Sequence, residues 1–261
     1  MYDKGRMTPR ERLYAAMALK EPDRVPILPS SRMFGIHDLG YTMEDCFKDG
    51  EKYVESQVRM VTEYAHDAVW SMYEMPVERA LGQKMSTPKD DNAHPLAPLI
   101  NSPEDLANLP KNLVLRGKGW TDYFLAITKS LKKKVGDAVP VMGFVPSPIR
   151  QACMLRGTEN LYMDMYENPG LVKELLEYLI APSNQFAELQ AEVGADIIFC
   201  TCPVAGFPPL RRLVRPLRPR HRRESGRYAG RQDRSGVVEE RVRQQGLHQW
   251  QGGLCEHHAA G

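Results

Sequence analysis

The stretch VPVMGFVPSPIRQACMLRG, residues 139–157, decides the fold. Its first seven residues, 139–145, are apolar throughout and read as a strand buried on both faces. Ser147-Pro148 then opens a helix, since proline suits the first helical position, and Gly157 interrupts it. A buried strand running straight into a helix is half of a parallel crossover unit.

The same alternation continues on both sides. Toward the amino terminus, Thr8, Pro9 and Glu11 form a capping signature, and Leu13, Ala16, Met17 and Leu19 give that helix one apolar side. Pro22 stops it, and RVPIL, residues 24–28, follows as a strand. A second helix is expected from near Thr42, with Asp45 as its cap partner, to about Tyr64. DAVWSMY at 67–73 is a strand, and 74–101 is a polar, proline-punctuated excursion. SPEDLANL from Ser102 carries another cap, and a helix follows from about Trp120 to Val135. The Lys132-Lys133-Lys134 run ends that helix, where cations complement the dipole. Toward the carboxyl terminus, Pro169-Gly170 precedes a helix through LVKELLEYL, which Pro182 is expected to kink or break. ADIIFCTC at 195–202 is a fourth buried strand. Four such strands alternating with helices predict an α/β fold: an incomplete (β/α)8 TIM barrel of about four βα units. A doubly wound open sheet is the structural runner-up, although no glycine-rich phosphate fingerprint follows any strand.

Composition divides the chain of 261 residues differently. The stretch 206–261 holds 12 Arg, no Lys and 5 acidic residues, a charge of +7, whereas the remainder carries −5. Residues 1–205 therefore read as the globular part, and 206–261 as an irregular, basic Arg/Pro-rich tail. Five cysteines, at 46, 153, 200, 202 and 255, suit reduced thiols better than a disulfide framework. The absence of an apolar signal core or a long apolar run points to a cytoplasmic protein with no membrane partner.

Three stretches carry a family likeness: MTPRERLYAAMALKEPDRVPILP, GFVPSPIRQACMLRGTENLYMDMYENPGLVKELLEYL and GADIIFCTC. Together they resemble the uroporphyrinogen decarboxylase superfamily, which includes decarboxylases of porphyrin (haem) biosynthesis and corrinoid-dependent methyltransferases. The resemblance implies a (β/α)8 barrel with its pocket at the carboxyl ends of the strands. The decarboxylases carry an Asp after their second strand, and ungapped alignment puts Tyr73 there; a tyrosine of theirs falls on Cys153. A phenol, with a reference pKa of about 10, cannot replace a carboxylate at pH 7. VERALGQKMS also resembles the phrase the methyltransferases place after that strand. The implied activity is thus transfer of a methyl group between a corrinoid (methylcobalamin) and a small substrate, with uroporphyrinogen decarboxylation as the alternative. A corrinoid protein or a small methyl donor or acceptor is the implied partner, and zinc the implied metal.

Candidate residues follow from placement and, for Cys153 and Arg32, from what the resemblance implies. Tyr73 and Glu74, after the second strand, are the catalytic candidates; Arg32 and His37, in the loop after the first strand, and Cys153 are the substrate-binding ones. The zinc chemistry of the family uses a His-x-Cys…Cys set, and this chain has no His-x-Cys. Cys200 and Cys202 share one strand face and are the metal candidates, against the plainer reading of buried cysteines. Cys255, His257 and His258 read as part of the tail rather than as a metal site.

The tail itself has two readings. One is a basic nucleic-acid-binding module, which lacks aromatic interleaving. The other is a shift of reading frame near 203–210, because composition and family pattern break at the same place. The second is preferred, so a nucleic-acid partner is not expected. It predicts a chain with an incomplete site, inactive as it stands, that self-associates.

Overall fold

The computed structural model describes residues 6–202. The stretch 206–261, with Cys255, His257 and His258, lies outside the described residues. In chain order the elements are α1 (Pro9–Met17), α2 (Arg32–Asp38), α3 (Met43–Lys48), α4 (Gly50–Thr62), β1 (Val69–Trp70), α5 (Pro76–Ala80), α6 (Pro103–Ala107) and α7 (Gly119–Val135). Then come β2 (Val141–Pro146), α8 (Pro148–Arg156), α9 (Thr158–Glu167), α10 (Pro169–Glu192) and β3 (Ile197–Thr201). The three strands form a parallel sheet in the order β1-β2-β3. The fold is α/β, with crossover helices between parallel strands. Among the described residues, no helix is long and apolar enough to cross a membrane.

Several helix boundaries follow local chemistry. Thr8, Thr42 and Ser102 each form a full capping box, with Glu11, Asp45 and Asp105. Gly157, at φ 85°, separates α8 from α9 in a conformation that other residues resist. Pro182 does not end α10, which runs through it to Glu192. The Ser183 hydroxyl donates to the Leu179 carbonyl at 2.6 Å, adding a side-chain bond where the helix loses a backbone donor.

Several sequence expectations need correction. The expected helix from Thr42 to Tyr64 is two helices, because Asp49 turns extended and caps α4. The break brings Gly50 against α7, where a Cβ would lie 2.7 Å from Ile127 Cγ1. The stretch holding Arg32 and His37 is helix α2 rather than a loop. Most informative, RVPIL at 24–28 forms no strand, and 67–73 contracts to Val69–Trp70. Pro26 has no N–H to give a ladder, and the outward edge of β1 is already taken. The Trp70 N–H donates to Gln57 Oε1 and its carbonyl accepts the Tyr53 hydroxyl, both at 3.1 Å, from buried side chains of α4. One backbone bond survives, from Asp67 N–H to the Ile27 carbonyl at 2.8 Å.

Register assigns the two sheet faces. Val69 pairs with Val141, Gly143 with Ile198 and Val145 with Cys200, so these alternate onto one face. That face is covered by α4, α7, α8 and α10 through Phe124, Leu131, Ile149 and Phe186. Trp70, Met142, Phe144, Ile197 and Phe199 occupy the other, where Leu13 and Leu28 cover its amino-terminal part. Aromatic edges link this row, with Trp70 and Phe199 ring centroids 5.4 Å apart and those of Phe144 and Phe199 6.1 Å apart. β3 is therefore half-exposed rather than buried on both faces, and Phe199 is 43% exposed.

The amino ends of the strands are held by buried charge. Asp67 accepts from Arg12, from Arg24 at 2.7 Å and from the Ile27 N–H at 2.7 Å. Arg12, fully buried, also donates to Asp23 at 2.6 and 3.0 Å. Asp196 does the same for β3, accepting from Arg10, from Lys132 at 3.2 Å and from the Val141 N–H at 2.9 Å.

Candidate functional site

At the opposite, carboxyl ends of the strands, the chain after β1 turns sharply into α5. Met75 makes that turn in the left-handed region, at φ 58° and ψ 56°, although it is neither glycine nor asparagine and is buried. Such strain in a buried residue persists only where the surroundings impose it. The turn places Tyr73 and Glu74 on either side of the sheet end.

Glu74 is nearly fully buried. Arg32 donates to Glu74 Oε1 and to the Tyr73 carbonyl, both at 2.9 Å, and its other terminal nitrogen reaches Asn92 Oδ1 at 2.9 Å. The Ala93 N–H completes the carboxylate at 3.0 Å. Burial still holds the Glu74 pKa above the ordinary carboxylate value, opposed by the charge of Arg32. Arg32 and Glu74 thus form one unit, and Asn92 and Ala93 bring in the polar excursion.

Tyr73 faces the other way. Its ring lies 5.0 Å from that of Phe144 and 6.3 Å from that of Phe186. Its hydroxyl makes long contacts of 3.4 and 3.5 Å with the Glu78 carboxylate on α5. Glu78 is 1% exposed, and burial pushes its pKa up to about 7, against the pull of Arg150, Tyr73 and Arg79. Burial also raises the Tyr73 phenol well above 10. Arg79 lies between these carboxylates. It donates from Nε to the Glu74 carbonyl at 2.8 Å and stacks 4.4 Å over Trp120, and its Nη2 is buried without a hydrogen bond.

Glu78, Arg79, Arg150 and Asn92 belong to this corner, and sequence reasoning missed them. Two adjacent charges inside the apolar phrase MPVERAL were the available signal for Glu78 and Arg79. The other candidates are not brought together here. His37, on α2, is half-exposed and meets Asp90 at 3.5 Å. Cys153 is buried on α8, and burial raises its thiol pKa. Cys200 alternates onto the helix-covered face, and Cys202 packs against the core of α8 and α10. Among the described residues, no group of three or more His, Cys, Asp or Glu side chains is placed to hold a metal ion. The zinc that the resemblance implies does not fit these residues, and none of the chemistry proposed for them passes through it.

The family model for uroporphyrinogen decarboxylase (URO-D) matches residues 8–202. The chain belongs to the uroporphyrinogen decarboxylase family. Within it, the chain is 25% identical over 206 residues to the methylcobamide:CoM methyltransferase MtbA of Methanosarcina mazei, covering 77% of this chain and 60% of that relative. The MtbA of Methanosarcina acetivorans is 23% identical over the same length, with the same coverage. Uroporphyrinogen decarboxylase of Acinetobacter baumannii is 28% identical over 108 residues, 38% of this chain and 29% of that one. The chain therefore spans about 60% of the length of the methyltransferases it matches. A solved methyltransferase from Methanosarcina mazei shares the fold, with a TM-score of 0.68 at 20% identity over 76% of this chain and 60% of that structure.

Proposed function

We propose that this chain is built for the methyltransferase chemistry of its family, moving a methyl group between a corrinoid and a small acceptor or donor. The observation that carries this reading is Tyr73. Where a decarboxylase is expected to present a carboxylate, this chain presents a buried phenol that stays neutral at pH 7, with Glu78 behind it. The longer likeness to the methyltransferases supports the same branch. The half-buried Phe144 and the exposed Phe199 would receive the face of a corrinoid, which when bound supplies or accepts the methyl group. Arg32 fixes the buried Glu74 on one side of the strand end, and Tyr73 holds a neutral hydroxyl toward Glu78 on the other.

We propose further that the described strands are the first units of a (β/α)8 barrel, and that the Arg/Pro-rich stretch 206–261 does not supply the remaining units. On that reading the chain turns over nothing by itself, binds a hydrophobic dye through its apolar sheet face and self-associates. A monomeric chain with a sharp cooperative melt and no dye binding contradicts the incomplete barrel. The nucleotide sequence around codons 203–212 tests the frame shift directly. For the activity, a frame-restored protein is mixed with methylcobalamin and an acceptor thiol, and the corrinoid absorption spectrum is expected to change. Consumption of uroporphyrinogen without any corrinoid effect transfers the assignment to decarboxylation.

A further inference from the structure

We infer that the amino-terminal end of α8 is a binding site for a small anionic group, a carboxylate, sulfonate or phosphate. Its contacts are the Ser147 hydroxyl, the first-turn N–H groups of Ile149 and Arg150, and the Arg150 guanidinium. α8 leaves β2 directly, so this end stands at the carboxyl edge of the central strand, on the side of the sheet where Tyr73 and Glu74 sit.

Three observations converge on negative charge. First, no side chain caps this nine-residue helix, and Pro148 leaves Ile149 and Arg150 to present the first N–H groups. Second, Ser147 occupies the N-cap position and is only 8% exposed, yet its Oγ is buried with no hydrogen-bond partner. A serine hydroxyl here ordinarily accepts from the second or third helical N–H; this one bonds nothing among the described residues. Third, Arg150 lies in the first turn, where a cation opposes the helix dipole. Among the described residues no carboxylate comes within 4 Å of it, and its guanidinium rests 5.9 Å over the Phe144 ring. An anion at this end accepts from the hydroxyl and the N–H groups and neutralises Arg150 at once.

The site is linked to the proton on Glu78. That carboxyl is faced by Tyr73 from the end of β1, by Arg79 on its own helix and by Arg150 from α8, while Glu74 acts on Tyr73. An anion on Arg150 removes part of what favours ionised Glu78, so binding takes up a proton and tightens as pH falls. The site gives the small substrate of the proposed methyl transfer an anionic end, and it rests on that reading only for which molecule brings the anion.

The test uses the full chain, labelled with 15N and titrated with sodium sulfate against sodium chloride at matched ionic strength. Saturable shifts are expected at the Ile149 and Arg150 amides with millimolar affinity, weakened about tenfold or more in Arg150→Gln. Affinity is expected to rise from about pH 8 to about pH 6, and to lose that trend in Glu78→Gln. Non-saturating shifts overturn the site, as does unchanged affinity in an Arg150→Gln protein that keeps its spectral dispersion. Should Arg150→Gln unfold, Ser147→Ala decides, because its hydroxyl bonds nothing among the described residues: a several-fold loss supports the site and unchanged binding overturns it. Sulfate binding without any corrinoid effect in the frame-restored protein removes the methyl-transfer reading and leaves the anion site standing.

Discussion

The two ends of the sheet treat buried charge in opposite ways. At the amino ends, Asp67 and Asp196 each accept from two cations and one backbone N–H, so the chain itself satisfies them. At the carboxyl ends, burial raises Glu74 and Glu78, Arg79 keeps a buried nitrogen unbonded, and Ser147 does the same with a hydroxyl. Met75 adds backbone strain at that end. Fully paired charge locks segments together, here the 24–28 stretch onto β1 and α7 onto β3. The poorly compensated polar groups at the other end are the ones the proposed anion site draws on.

Breaking the amino end is expected to have the largest effect on stability. Asp67→Ala takes from the buried Arg12 one of its two carboxylate partners, leaving Asp23, and frees Arg24 and the Ile27 N–H, at a cost of about 3 kcal/mol. The chemical-denaturation midpoint measures this, and a loss under about 1 kcal/mol would mean the network is not what fixes the 24–28 segment.

At the carboxyl end the expected signature is pH dependence. The folded protein holds the Glu78 proton up to about pH 7, against an ordinary carboxyl value of 4.5, so the folded state binds the proton more tightly than the unfolded one. The contribution is therefore most favourable at low pH and is lost as pH rises through about 4.5 to 7, by on the order of 3 kcal/mol. Thermal melts from about pH 5 to pH 8, above the range where paired aspartates titrate, should show that decline in the natural chain and a flatter profile in Glu78→Gln.

The smallest effect belongs to local capping. Thr8→Ala removes the acceptor of the Glu11 N–H and should cost about 1 kcal/mol, with no change in the Glu78 pH profile. A changed profile would couple two ends that the structure keeps apart.

Much of this frame was legible in the sequence, and the gaps have physical causes. Capping boxes at Thr8, Thr42 and Ser102 are local, so sequence spacing alone revealed them. The strand-to-helix joint at Ser147-Pro148 was legible for the same reason. RVPIL was misread because strand formation depends on a free edge, and side chains from α4 had occupied it. The break at Asp49 was hidden because Asp49 also fits a helix interior, and the contact that the break allows, Gly50 against Ile127, joins residues far apart in sequence. Tyr73 and Glu74 were expected from strand-end position and Arg32 from a loop after a strand that does not form; the structure packs Arg32 against Glu74 and the Tyr73 carbonyl through α2 instead. Glu78 and Arg150 were not expected, because their roles come from burial and from facing each other across α5 and α8.

Infrared difference spectroscopy of the full chain, with Glu78→Gln as the reference, tests the contrast between the two ends most directly. A protonated carboxylic acid band is expected at about pH 5.5, fading with a midpoint near pH 7 and absent in Glu78→Gln. If every carboxyl is already ionised at about pH 5.5, the carboxyl end is as fully compensated as the amino end, and the division between them fails.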